Sequence, residues 1–223
     1  FEKAGIIKPN ANVVIGAVQP ELETIFETEA RSKDVQFIYA DASDTSFDHY
    51  FIAAYQKENF KTVLAALDQI ELTGFSISDH HISNGIEAVR KNTGYSGRLQ
   101  VINQSPLTIF DVSHNAQGIE VTLDTIKNIK QGELHIVYGT SADKDTSTIL
   151  PFFPLDASYY FTEFSSSRTA KIDDLKNAFD QINLKSTHYY KNAQEALNNA
   201  KENSSESDTI LIIGSFFLLS DFF

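Results

Sequence analysis

Four groups of residues in this 223-residue chain follow apolar runs and carry side chains suited to anions or hydroxyls. The first is Leu107-Thr108-Ile109-Phe110-Asp111, followed by Val112-Ser113-His114-Asn115. An apolar strand there ends in a carboxylate that can accept hydrogen bonds from ribose hydroxyls, and an imidazole and an amide follow at a helix start. The same residues read equally well as a helix-capping turn. The second group is Thr209 to Ile213, then Gly214-Ser215-Phe216-Phe217. Glycine lets the backbone turn closely, and Ser215 with the helix amides suits a carboxylate or phosphate, although a serine so placed is more often only a cap. The third is Gly97-Arg98, whose guanidinium offers bidentate recognition of phosphate or carboxylate, with a surface ion pair as the plain alternative. The fourth, Gly139-Thr140-Ser141-Ala142-Asp143-Lys144-Asp145, is either a substrate loop or a solvated turn.

Other chemistries are closed. The chain has no Cys, which removes disulfides, thiolate metal sites and cysteine nucleophiles together. It contains no G-x-x-x-x-G-K-[ST], G-x-G-x-x-G or G-x-S-x-G, so it has no self-contained phosphate loop, dinucleotide fingerprint or nucleophile elbow. His80-His81 lack the H-E-x-x-H spacing of a zinc site. Asp111, Ser113 and His114 lie too close in sequence for a hydrolytic triad, which needs a relay of separated groups.

The elements that must position these groups are legible as alternating patterns. Asn12 to Ala17 and Val35 to Ala40 read as strands around a helix from Pro20 to Lys33. Phe60, Val63, Leu64, Leu67 and Ile70 recur at helical spacing, and a second helix is expected from Ser78 to Lys91. Asn92 to Gly97 supplies a boundary, dividing 1–93 from 94–223. Beyond it, strands are expected near 98–103, 107–111, 134–139, 157–161, 187–190 and 209–213. The intervening helices carry Ile119, Leu123 and Ile126, then Ile172, Leu175, Phe179 and Ile182, then Ala193, Ala196, Leu197 and Ala200. This is an α/β pattern, expected to form a Rossmann-like, mostly parallel sheet with flanking helices. Asp111, His114, the 139–145 loop and Ser215 would then share the edge where the strands end, with Arg98 beside them.

Charge narrows the partners. Lys plus Arg total 18 and Asp plus Glu total 30, a net of −12, and the excess is even: 8 basic and 14 acidic residues to position 93, 10 and 16 beyond it. A broad electrostatic grip on nucleic acid or anionic lipid is not expected. No run of 18 apolar residues occurs, and the chain opens Phe-Glu-Lys without a basic leader, so a cytoplasmic protein is expected. It contains no Met, which fits a fragment of a longer chain.

Phe1-Glu2-Lys3-Ala4-Gly5-Ile6-Ile7-Lys8-Pro9, Tyr55-Gln56-Lys57-Glu58-Asn59, Gly97-Arg98-Leu99-Gln100, Asp111 to Asn115, Asp143-Lys144-Asp145 and Gly214-Ser215-Phe216-Phe217-Leu218 stand in an order and spacing that resemble folylpolyglutamate synthase, including its bifunctional dihydrofolate synthase form. That family belongs to the Mur ligase group, and the resemblance covers almost the whole chain. It implies an ATP-dependent ligase, monomeric when intact, that joins L-glutamate to folate or dihydropteroate through an acyl phosphate, with ATP and Mg2+ as cofactors. By match it implies Lys3 as the carbamylated lysine that holds the second magnesium, Asn59, Arg98 and Asp111 as ATP contacts, and His114 and Ser215 at the incoming glutamate. Val112-Ser113 stand where Gly-Ala is usual and Ala116 where Pro is common; the polar groups are kept. The resemblance also implies that the phosphate loop and the remaining metal ligands precede residue 1. Residues 1–93 would be the tail of a central ATPase domain, 94–223 a complete C-terminal domain, and the chain alone inactive.

Two other classes are compatible with the residues. A non-catalytic α/β module would bind a phosphorylated or carboxylated metabolite at its strand ends. A sister amino-acid ligase of the Mur group would share the architecture with a different acceptor.

Overall fold

The computed structural model describes residues 3–16, 20–41 and 43–222. Phe1, Glu2 and Ala17, which belong to segments read above, lie outside the described residues. The chain divides into two compact units, Phe1–Gly94 and Tyr95–Phe223.

In the first unit, β1 (Val13–Ile15) pairs in parallel with β2 (Phe37–Tyr39), and α1 (Pro20–Ser32) makes the crossover. Proline at its first position, Glu21 and Glu23 in its first turn and Arg31 in its last suit the helix ends. α2 (Ala54–Glu71) packs on both strands. The expected helix over 78–91 is two: α3 (Asp79–Glu87) and α4 (Val89–Thr93), separated by Ala88 at φ −94 and ψ 3. Rotation of that one ψ turns the axis, while backbone bonds from Ala88 to Asn84 and from Asn92 to Ala88 carry the chain through. Ser78 Oγ accepts from the His81 amide and His81 Nδ1 from the Ser78 amide, so the imidazole takes the place of the usual acidic capping partner. Gly94, at φ 68, ends α4.

This unit leaves apolar surface open. A groove of about 430 Å³ runs between Phe60, Val63 and Leu67 on α2 and Ile82, Ile86 and Val89 beyond it, and Leu72 and Phe75 are 77% and 68% exposed.

The second unit is a six-stranded sheet, ordered β3-β4-β8-β5-β6-β7. The strands are β3 (Gln100–Gln104), β4 (Leu107–Asp111), β5 (Leu134–Tyr138), β6 (Ser158–Thr162), β7 (Ser186–Tyr190) and β8 (Thr209–Ile213). Only β3 is antiparallel. The helices α5 (Ala116–Ile129), α6 (Ile172–Phe179), α7 (Ala193–Glu202) and α8 (Phe216–Ser220) connect or follow the strands. β5 and β8 are buried along their length, which suits their largely apolar sequences, Thr209 and His135 being the polar exceptions. One face packs Phe110, Val137 and Ile212 against Ala196, Leu197 and Ala200. The small residues of α7 let that helix lie close to the sheet. On the other face the Phe161 and Phe179 rings meet at a tilt, 4.4 Å between centres, beside Tyr138. α6 ends at Phe179, so Ile182 falls in the turn beyond it rather than on its stripe.

Candidate functional site

Register fixes what shares the sheet's carboxyl edge. Asp111 pairs with Ile213, and Ile213 with Tyr138, so the segments after β4, β8 and β5 leave the sheet side by side. Because β3 runs the other way, with Gln100 opposite Phe110, Arg98 enters at that same edge. The expected clustering of Asp111, His114, the 139–145 loop, Ser215 and Arg98 is therefore what the topology produces.

Two glycines make this edge possible. Gly97 has φ 91, and a Cβ there would meet Val112 Cγ1 at 2.5 Å and Leu219 Cδ2 at 2.7 Å. Gly214 has φ 127, and a Cβ would lie 2.3 Å from the Gly139 carbonyl oxygen. The ends of β8 and β5 thus approach backbone to backbone, as no other residue type would allow.

Asp111 is 3% exposed and its carboxylate is engaged by protein donors. Oδ2 accepts from the Leu99 amide at 2.9 Å, and Oδ1 from the Ser113 amide at 2.8 Å and Thr122 Oγ1 at 3.2 Å. Three of about four carboxylate acceptor positions are filled, leaving one on Oδ2. Thr122, on α5, was not singled out from sequence; its polar side chain within the apolar stripe of Ile119, Leu123 and Ile126 was the available signal. Arg98 is exposed, its Nε donating to Tyr95 Oη at 3.1 Å.

His114 is half-buried. Its Nδ1 donates to the Val112 carbonyl at 3.1 Å, which leaves Nε2 as the ring's acceptor nitrogen, and the ring lies 6.2 Å from that of Phe216. Asn115 is the cap of α5, accepting from the Gly118 amide. Ser215 is 6% exposed and caps α8, Oγ accepting from the Phe217 amide at 3.1 Å. The capping alternative is thus realised for both segments, while the Ser215 hydroxyl keeps its hydrogen to donate.

The loops after β5 and β6 are zipped together. The Ala142 amide donates to the Arg168 carbonyl and the Ala170 amide to the Thr140 carbonyl, each at 2.8 Å. This brings in a cation that the sequence reading passed over. Arg168 Nη2 pairs with Asp143 Oδ1 at 3.2 Å, and its guanidinium lies 5.4 Å over the Phe217 ring. The Arg168 hydrogen bond holds the Asp143 carboxyl below the usual range. The signal available was an arginine after Ser165-Ser166-Ser167, just past a strand end. Asp145 turns inward on its own loop, capping the turn at Thr146–Thr148.

Lys3 and Asn59 lie in the first unit. Lys3 is exposed before the short turn Ala4–Ile6, and Asn59 is exposed on α2. Gln56 of the same Tyr-Gln-x-x-Asn segment has a structural task, its Oε1 accepting from the Ala53 amide ahead of α2. Among the described residues no group of three or more His, Cys, Asp or Glu side chains is placed to hold a metal ion. Among the described residues no helix is long and apolar enough to cross a membrane.

Residues 97–216 match the family described as Mur ligase, glutamate ligase domain. A dihydrofolate synthase/folylpolyglutamate synthase of Buchnera aphidicola is 26% identical over 234 residues, covering 99% of this chain and 54% of the relative. The structure of Mycobacterium tuberculosis folylpolyglutamate synthase with ADP and AMPPCP superimposes with a TM-score of 0.78 at 19% identity, covering 99% of this chain and 57% of that one. A bifunctional folylpolyglutamate synthase/dihydrofolate synthase with Mn, AMPPNP and L-glutamate gives 0.72 at 21%, covering 98% and 54%. The two structures establish a shared fold. The chain spans about half the length of the relatives it matches.

Proposed function

The chain belongs to the Mur ligase, glutamate ligase domain family, and from that premise we propose that residues 95–223 are the glutamate-side lobe of an ATP-dependent ligase acting on folate or dihydropteroate. The observation that carries this reading is the convergence of Arg98, Asp111, His114 and Ser215 on one sheet edge, at the ends of β4 and β8. A ligand-free capping role explains Ser215 Oγ and Asn115, but not an exposed arginine on the same edge, next to the Leu99 amide that a buried carboxylate ties down. Residues 1–94 are read as the tail of a central ATPase domain, with the phosphate loop contributed by sequence ahead of it.

ATP supplies the phosphoryl group that turns the acceptor carboxylate into an acyl phosphate. Arg98 neutralises phosphate charge, and its fixed charge needs no reorganisation as the transition state forms. Asp111 positions Arg98 through Leu99 and offers its remaining Oδ2 lone pair to a ribose hydroxyl. Ser215 donates its hydroxyl hydrogen to a glutamate carboxylate, Arg168 adds a cation on the same side, and His114 Nε2 faces the amino acid's polar groups. Asn59 is read, by the resemblance alone, as a further ATP contact. The relatives' manganese and the resemblance both point to a divalent ion, with Lys3 as a carbamate ligand. The described residues do not assemble a magnesium site, so no step is derived through it.

The test is glutamate-dependent release of ADP by the longer protein that contains these residues, with folate or dihydropteroate as acceptor. Activity with either acceptor, lost in Ser215→Ala or Arg98→Ala, supports the reading. Nucleotide turnover indifferent to glutamate contradicts it.

A further inference from the structure

We propose that the cavity beyond the ends of β6 and β7 is a second carboxylate subsite, which takes acidic residues of an oligoglutamyl ligand; this rests on the glutamate-ligase reading above. The cavity measures about 440 Å³ and is lined by Glu163, Lys171, Ile172, Asp173, Lys176 and Lys191. Three lysines against two carboxylates leave it one net positive charge, in a chain whose total is −12.

The cavity already holds one carboxylate. Glu163 accepts from Lys171 Nζ at 2.8 Å and from the Ile172 amide, in the first turn of α6, at 3.3 Å. Lys171 foremost, then that amide, holds the Glu163 carboxyl below its usual range. The arrangement is thus chemically competent for carboxylates. Lys171 is spent on Glu163, and the other two ammonium groups are not. Lys176 Nζ stands 5.2 Å over the Tyr189 ring, and Lys191 acts on Glu163 through space without bridging to it.

Position selects the ligand. Thr162 and Tyr190 are register partners at the ends of β6 and β7, so the cavity opens on the same edge as Ser215. From β8 to β6 is two strand spacings, about 10 Å. A glutamyl residue linked through its side-chain carboxyl adds two carbons to the ~3.5 Å repeat of an extended peptide and spans about 6 Å, so a free amino acid at Ser215 falls short of the lysines and two to three linked residues reach them. A product bearing several glutamates in series has that length and one carboxylate per residue.

The experiment is an NMR titration of the 223-residue chain with tri-γ-glutamate, with glutamate and inorganic phosphate as comparison ligands. Tri-γ-glutamate should shift the Lys171, Ile172 and Lys191 amides saturably, bind at least about fivefold more tightly than either comparison ligand, and weaken with added salt. Lys176→Gln and Lys191→Gln, both changes at exposed ammonium groups, should each weaken binding about two- to fivefold with the melting temperature unchanged. Shifts that are absent, scattered over the surface, or equal for phosphate overturn the subsite. The two readings fail separately: localised binding with no ligase activity in the longer protein removes the reaction and leaves the subsite, and activity without localised binding removes the subsite alone.

Discussion

The Leu99 amide donates to Asp111 Oδ2 at 2.9 Å, tying the entry of β3 to the end of β4. Leu99 has φ 45, a conformation that costs a branched residue roughly 1–2 kcal/mol. The buried carboxylate compensates, and Arg98 is carried on the turn it holds.

Asp111→Asn removes the charge from these bonds and turns one acceptor into a donor facing amide hydrogens. Loss of hydrogen bonds to a charged group predicts destabilisation by about 2–3 kcal/mol, measured by urea unfolding. In the longer protein the KM for ATP should rise as well. A variant as stable as the parent would mean that Asp111 does not hold the turn.

Gly214→Ala should be more damaging than its size suggests. The new methyl group would sit 2.3 Å from the Gly139 carbonyl oxygen at φ 127, combining strain and a clash with backbone. The expected cost is about 3 kcal/mol, or failure to fold. Gly5→Ala, where a Cβ meets nothing within 4 Å, is the control and should leave the melting temperature within a degree or two.

Much of this arrangement was legible from the residues. The six strands of the second unit appear within two residues of where alternation placed them, because apolar runs bounded by helical stripes leave little freedom. The sheet edge followed from the parallel topology. What the sequence hid was tertiary: Thr122 and Arg168 reach the site only because α5 and the loop after β6 fold back on it. The break at Ala88 was hidden too, since no glycine or proline marks it. Asp111 read as a ligand contact, and its three internal bonds could not be seen in a linear pattern.

At the opposite edge of the sheet, His135 is buried with Nδ1 3.1 Å from Tyr160 Oη and Nε2 3.8 Å from Asp208 Oδ2. Burial holds its pKa below the usual 6.5, outweighing the upward pull of Asp208 and Glu133. The folded state therefore favours the neutral ring. Its contribution is complete above the unfolded-state value and is lost as pH falls from there toward the lower folded-state value. Thermal melts between about pH 7.5 and 5.5 should decline for the parent and decline less for His135→Gln. Parallel declines would assign the effect elsewhere.

Arg98→Ala in the longer protein should lower kcat/KM for ATP by at least about tenfold, the equivalent of one charge-assisted hydrogen bond of ~1.5–3 kcal/mol. Folding should be unaffected, since the side chain is exposed. Unchanged kinetics would remove Arg98 from the nucleotide site.

Ligation of the proposed kind passes through an acyl phosphate. In the longer protein, an acceptor labelled with ¹⁸O in its reacting carboxylate should yield glutamyl conjugate, ADP and inorganic phosphate carrying one labelled oxygen, because the phosphorylated carboxylate loses that oxygen when the glutamate amine displaces phosphate. Mass spectrometry of the phosphate reads this. Labelled phosphate formed only when glutamate and acceptor are both present is the predicted result. Conjugate formed with unlabelled phosphate, or no conjugate at all, would contradict a ligase working through an acyl phosphate on this scaffold.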